Sequence, residues 1–353
     1  MEKTLKKRKY HLDFLRILAA FLIVVNHSEI VELYGSGAYS TAGSFALCWM
    51  TTLVVINIYL FYMISGALML RKEEPNRVIY GKRIPRFLAL TVLTVAFTYV
   101  FRCFPNLNAG DFFRGLFAGN MDVTHWYLYT YMGFLVMVPF LRRAVRGMTH
   151  TDAIVLVCFR VLFDTLLPLA RYVTTYKGWA EIPFPGSFGV PLAAIDILFY
   201  PILGYYLENV LPWEKANWKW AALSGVVIAG SSLLSTLVTM HQGLRTAFSG
   251  SYLRMNVYAT AMAAFVLVKY LFIRAGELPK WFAKVLETAC PLMLGVYILE
   301  PVLRPVVKPL LIGWMGPGAS PIVTSLWYSF FGVVVYSAMT WLLRKLPGMK
   351  KIL

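Results

Sequence analysis

An all-α polytopic integral membrane protein, with about ten transmembrane helices and both termini cytoplasmic, is the fold class that three observations predict. Hydrophobic residues make up 59% of the 353-residue chain and charged residues 14%, against about a quarter charged in ordinary soluble domains. The apolar residues gather into ten runs long enough, or nearly so, to cross a hydrocarbon core of about 30 Å, at 12–30, 45–70, 85–104, 125–141, 152–170, 190–208, 218–240, 252–273, 289–311 and 322–343. The basic residues are unevenly shared between the segments that separate these runs. With the N terminus inside, 24 fall in inner segments and eight at the outer side, while Arg16 and Arg160 lie within runs. Such a bias marks the cytoplasmic face.

The formal charge of +17 does not point to nucleic acid, because the lysines and arginines form short clusters at the ends of apolar runs, as membrane topology requires. No Ser/Gly/Pro linker and no long polar block divides the chain, so one membrane domain spans residues 10–345. No internal repeat is visible, and a short outer helix is expected around residues 110–119.

The first run, "DFLRILAAFLIVVNH" at 13–27, carries an aspartate, an arginine and a histidine. The arginine and the lack of a small-residue cleavage pattern read it as a span, not a signal peptide. Eleven steps from Arg16 to His27 turn a helix by about 1100°, three turns plus roughly 20°, and advance it roughly 16 Å. The two side chains therefore share one face, with Asp13 on a neighbouring position. His27 stands about 24 Å above a helix start at His11, and no acidic residue at i±3 or i±4 holds it. It serves either as an interhelical hydrogen-bonding group or as part of a site. Asp13 and Arg16 form either a neutralising pair or part of the same site.

In "YGKRIPRFL", residues 80–88, Pro85 suits the first turn of a helix. Arg83 and Arg86 would flank that start, where free backbone N–H groups favour an anion; a basic membrane anchor is the plainer reading. "THWYLYTYMGFLVMVPFLRR" at 124–143 places His125, Trp126 and Tyr127 at the outer edge of the fourth run, as an interfacial aromatic belt or as a stacking surface for a sugar. Arg160 and Asp164 are spaced to pair across one helical turn. "LGVYILEPVLRPVVKPL" at 294–310 holds Glu300 among Pro301, Pro305 and Pro309, which should kink the helix. Glu300 either pairs with Arg304 at i+4 or belongs to a site. Cys48, Cys103, Cys158 and Cys290 lie in apolar runs without metal-type spacing and read as small buried hydrophobes, so no metal site is expected.

An arginine, ten residues and a histidine in the first of ten spans resembles the signature of membrane-bound acyltransferase family 3, the integral-membrane O-acyltransferases of bacterial surface glycans and other extracytoplasmic acceptors. "FYMISGALML" at 61–70 is similar to the family's F-x-x-I-S-G segment, "KRIPRFL" to its R-x-x-R motif on Arg83 and Arg86, and "WYLYTYMGFLVMVPFLR" to its W-[FY]-L-x segment. Two departures stand out. A histidine often precedes the tryptophan by two residues, where this chain has Thr124 followed by His125. A common Y-x-x-H-P segment reads here Tyr297-Ile298-Leu299-Glu300-Pro301.

The resemblance implies a multi-pass protein of the bacterial plasma membrane. It would take an acyl group, acetyl first among them, from cytoplasmic acyl-CoA as donor substrate to a hydroxyl of a surface glycan or lipid-linked sugar, with no bound cofactor. Arg83 and Arg86 would hold the donor phosphates, and Arg16 with Asp13 would organise its passage. His27 would act as general base or acylated nucleophile, oriented by Glu300 or, second, by Asp196. His125, Trp126 and Tyr127 would face the acceptor. The rival from another class is a transporter or flippase using the same intramembrane polar groups.

The topology is directly testable: tags at both ends should be protected from protease added to intact cells, and cleavage of either from outside would refute the 24-to-8 reading.

Overall fold

The computed structural model describes residues 8–28, 40–119, 121–180, 190–242, 255–315 and 319–352. Lys3, Lys6, Lys7, Arg245 and Arg254, counted in the charge bias, lie outside them. Among the described residues the regular structure is helical throughout. Seven stretches are long and apolar enough to cross a membrane: Thr41–Met69, Asn76–Cys103, His150–Lys177, Trp218–His241, Val257–Ala275, Lys280–Met315 and Pro321–Leu343. They coincide with seven of the ten expected runs. The other three runs hold shorter or more polar helices, Tyr10–Asn26, Trp126–Ala144 and Asp196–Asn209.

In chain order the main helices are α1 (Tyr10–Asn26), α2 (Thr41–Val54), α3 (Asn57–Met69), α4 (Ile84–Cys103), α5 (Ala109–Ala118), α6 (Trp126–Ala144), α7 (His150–Val161) and α8 (Leu167–Lys177). They continue with α9 (Asp196–Asn209), α10 (Trp218–Gln242), α11 (Val257–Ala275), α12 (Lys280–Ala289), α13 (Met293–Ile312) and α14 (Pro321–Leu343). The expected outer helix is α5, capped by Asn108, whose side chain accepts from the N–H groups of Gly110 and Asp111. All three prolines of the ninth run sit inside the continuous helix α13.

α1 is the hub, packing against α2, α3, α11, α12, α13 and α14. Its buried positions Leu12, Leu15, Ala19 and Ile23 enter one core with α3, α9 and α11, while Ala20 and Val24 enter another with α13 and α14. A helix buried on both flanks cannot show a single apolar stripe, and α1 does not. Its basic end is tied by Glu208 of α9, which takes Lys9 at 2.7 Å, His11 at 2.9 Å and Lys269 of α11 at 2.8 Å. Large apolar residues such as Leu88, Phe140, Val226 and Phe330 point outward, the surface that lipid would cover.

The tightest crossing is between α3 and α9. A Cβ built on Gly66 would lie 1.9 Å from the Pro201 carbonyl oxygen, and one on Gly204 2.0 Å from that of Met63. The two backbones touch, as small residues permit where lipid gives no hydrophobic drive to associate. Gly66 closes the "FYMISG" segment, so this contact explains its glycine. Arg160 supplies a second lock. It pairs with Asp164 at 2.5 Å, the expected i,i+4 partner, and also with Asp196 at 2.5 Å, and its Nη1 donates to the carbonyls of Ala193 and Ala194. Asp196 is thereby engaged away from His27.

Gly66→Ala and Gly204→Ala should each destabilise the detergent-solubilised protein by about 3 kcal/mol or more. Gly225→Ala, whose Cβ would meet nothing within 4 Å, should cost nothing. Thermal unfolding of the three variants checks this.

Candidate active site

The C-terminal end of α1 brings His27 against α13. His27 Nδ1 lies 2.6 Å from Glu300 Oε2, and Glu300 has no solvent exposure at all. Tyr328 of α14 donates to the other oxygen, Oε1, at 3.0 Å, and the Tyr336 hydroxyl lies 3.1 Å from that of Tyr328. Arg304 Nε stands 3.9 Å from Oε1, a looser contact than a dedicated i+4 pair, while its Nη1 donates to the His27 carbonyl at 2.7 Å. Glu300 thus meets donors on both oxygens, as an acceptor-only carboxylate requires. Its acceptance at Nδ1 places the imidazole proton there and leaves Nε2 with a lone pair. The partner that the first span lacked comes from 273 positions away.

Below this pair opens a cavity of about 320 Å³ between α1, α3, α4, α6 and α13. Arg16 and Ile23 line it from α1, Ser65 and Phe61 from α3, and Arg83 and Arg86 from the α4 side. Tyr127 and Tyr297 line it from α6 and α13. Ile23 is one helical turn before His27, so the cavity reaches from the basic loop to the turn beneath the histidine.

Asp13 and Arg16 do not pair directly. Asp13 accepts from Arg8 at 2.5 Å and from the Cys290 thiol at 3.1 Å, and Arg16 donates to the same sulfur at 3.1 Å. Cys290 therefore bridges the two as a polar link on the cavity wall, and its reading as an inert hydrophobe is corrected. The cause is position: Cys290 lies in the short turn between α12 and α13, facing α1.

The start of α4 also differs from expectation. Helix begins at Asn76, passes through a π-turn at Ile79–Arg83 and runs on to Cys103. Pro85 thus sits within a continuous helix, and no free N-terminal amides surround Arg83 and Arg86. The wider π-turn, which bonds i to i+5, absorbs the donor that proline lacks. Arg83 donates to Glu74 at 2.5 Å, and its Nε is buried without a hydrogen-bond partner among the described residues. Arg142, buried, binds the same loop through the Met69 and Glu74 carbonyls and the Glu74 carboxylate. Burial works toward the neutral acid at Glu74, but hydrogen bonds from Arg83 and Arg142 outweigh it and hold this carboxyl below the usual range.

At the opposite end, Asp122 caps the turn Val123–His125 by accepting from Thr124, and Arg102 pairs with it. Burial favours its neutral form, yet the Thr124 hydrogen bonds prevail and keep it below the ordinary carboxylate range. His125, buried, stands 3.2 Å from the Ile298 carbonyl through Nε2 and lies within electrostatic reach of His27. Tyr127 is buried edge-on to Tyr297, whose hydroxyl donates to the Thr124 carbonyl at 2.6 Å. Trp126 is 45% exposed, and its ring meets Tyr127 only edge-on, with centroids 6.4 Å apart. The three residues therefore do not form one stacking surface: consecutive positions on a helix diverge by about 100°.

Among described residues the geometry joins Arg16, Arg83 and Arg86 through one cavity, and His27 to Glu300 by direct contact. A family model described as an acyltransferase domain matches residues 9–344. The chain belongs to acyltransferase family 3. No match was found among curated proteins or among solved structures. The family match makes the protein a membrane acyltransferase; the R-x-x-R pair of the family 3 pattern lines the cavity, and the first-span histidine lies one turn beyond Ile23, which also lines it. Reading the sequence alone missed Glu74, Arg142 and Tyr328. Glu74 carried a signal, as an acidic residue inside a basic loop; Tyr328 carried none, being one of many aromatics in an apolar run.

Proposed function

We propose that this acyltransferase moves an acyl group, acetyl in the simplest case, from cytoplasmic acyl-CoA to a hydroxyl of an extracytoplasmic glycan or lipid-linked sugar at the bacterial plasma membrane. The observation that carries the reading is a half-buried histidine paired with a fully buried carboxylate, one turn beyond a cavity whose far end is lined by arginines. Arg83, with its unpartnered Nε, and Arg86 meet the donor phosphates, where guanidinium groups bind phosphate bidentately. The narrow pantetheine arm follows the cavity past Arg16 and Cys290. At the other end Nε2 of His27 takes the proton of the acceptor hydroxyl as its oxygen attacks the thioester carbonyl. The C–S bond then breaks, and the CoA sulfur receives that proton. Glu300 steadies the imidazolium formed between the two transfers. In a two-step variant Nε2 itself takes the acyl group before the acceptor arrives. On the acceptor side the exposed Trp126 offers a face for a sugar, while His125 and Tyr127, both buried, support it from behind.

Replacing His27 by alanine would strip Glu300 of a partner, and unpairing a buried charge costs about 3–5 kcal/mol. His27→Gln is the cleaner test, since the amide still donates to Glu300 but cannot take up a proton. It should leave a folded protein with acyl-CoA turnover reduced by at least about a thousandfold; a retained rate would reduce the histidine to helix packing. Arg83→Ala with Arg86→Ala should raise the acyl-CoA concentration for half-maximal rate by at least about tenfold, two charge-assisted contacts being lost. An unchanged value would make the cluster only a membrane anchor.

A further inference from the structure

Glu300 sits between two sets of partners. One oxygen faces His27; the other accepts from Tyr328, which is fully buried, and Tyr336, also fully buried, stands behind it. Both tyrosines lie on α14, a helix that contributes nothing to the lining of the cavity. Their hydroxyls need partners in an apolar interior. Since the carboxylate can only accept, the Tyr328 proton is committed to Glu300, and its remaining lone pair accepts from Tyr336. The order is therefore directional: Tyr336 donates to Tyr328, Tyr328 to Glu300, and His27 Nδ1 to Glu300.

We infer that Tyr328, backed by Tyr336, is a positioning residue that holds Glu300 as a carboxylate aimed at His27 and so sets how readily His27 takes up a proton. The inference deepens the acyltransferase reading and rests on it for its catalytic meaning, but the physical coupling it states exists without turnover. Among the described residues the other charged or titratable groups facing this pair are Arg304 on α13, which also pins the His27 backbone, Lys308 one turn further, toward the Ser28 carbonyl, and His125 on the turn before α6. These remain in place when Tyr328 is changed.

Glu300 stays a carboxylate whether His27 is neutral or protonated, so the Tyr328 hydrogen bond is present in both states and only tempers the pull of the carboxylate on the imidazolium. Removing it leaves more negative charge facing Nδ1 and favours protonated His27 by a fraction of that bond's worth, about threefold or about half a pH unit. Tyr328→Phe removes the donor and keeps the ring, and Tyr336→Phe weakens the same donor from one bond further away.

The readout is the rate at which diethyl pyrocarbonate modifies His27 in the intact, detergent-solubilised protein, followed by peptide mass as a function of pH. This reagent reacts with the neutral imidazole, and His27 retains 15% side-chain exposure. His27→Gln identifies the peptide. The midpoint of modification should move upward by about half a pH unit in Tyr328→Phe and by less in Tyr336→Phe. With acetyl-CoA as donor, the acid limb of the turnover rate should move in parallel while the acetyl-CoA requirement stays put. An unchanged midpoint in folded Tyr328→Phe protein overturns the inference. If that variant fails to fold, Tyr336→Phe decides: a midpoint at the wild-type value overturns it equally. Absence of acetyl-CoA turnover in the wild type would refute the proposed donor while leaving the modification result to judge Tyr328.

Discussion

A carboxylate with no access to water, in the middle of a helix that crosses the membrane, is the constraint on which the rest of this structure turns. Isolated in such a medium, Glu300 would be expensive to keep charged. It is kept by convergence: α1 delivers His27, α14 delivers Tyr328, and its own helix delivers Arg304. Three helices therefore have to meet at one depth. α1 becomes the hub because it must reach α13 at its C-terminal end while Glu208 holds its other end through Lys9, His11 and Lys269.

The same logic accounts for the other charged groups in the bundle. Arg160 is neutralised twice, by Asp164 and Asp196, and satisfied further by two carbonyls. Arg142 is spent on the loop between α3 and α4. Arg83 and Arg16 differ, since both line the cavity; Arg16 bonds to a thiol, and Arg83 keeps one buried donor without a partner among the described residues. The Nε of Arg160 likewise finds no hydrogen-bond partner among the described residues, so what sets Arg16 and Arg83 apart is their place on the cavity wall.

Close packing elsewhere makes room for this arrangement. At the α3–α9 crossing the backbones approach to contact through Gly66 and Gly204, and at α13–α14 a Cβ on Gly295 would lie 2.2 Å from the Thr340 side chain. The second crossing draws α14 against α13, so that Tyr328 and Tyr336 reach the carboxylate. A methyl group at either crossing would separate helices whose polar partners are fixed to within a few tenths of an ångström.

Local pattern alone determined the helical class, the apolar runs and the shared face of Arg16 and His27, because run length and the 100° turn per residue are properties of consecutive residues. It also picked out Arg83 and Arg86 as a basic pair, set on either side of a helix start. Where that helix begins was misjudged, since proline at a helix start and proline beside a π-turn look alike in one dimension. The pairing of His27 with Glu300 across 273 positions and the bridging of Asp13 and Arg16 by Cys290 came only from the tertiary structure. Each depends on which helix faces which. In a chain whose runs are apolar on nearly every side, hydrophobicity does not choose between neighbours; the buried hydrogen bonds and the glycine contacts do.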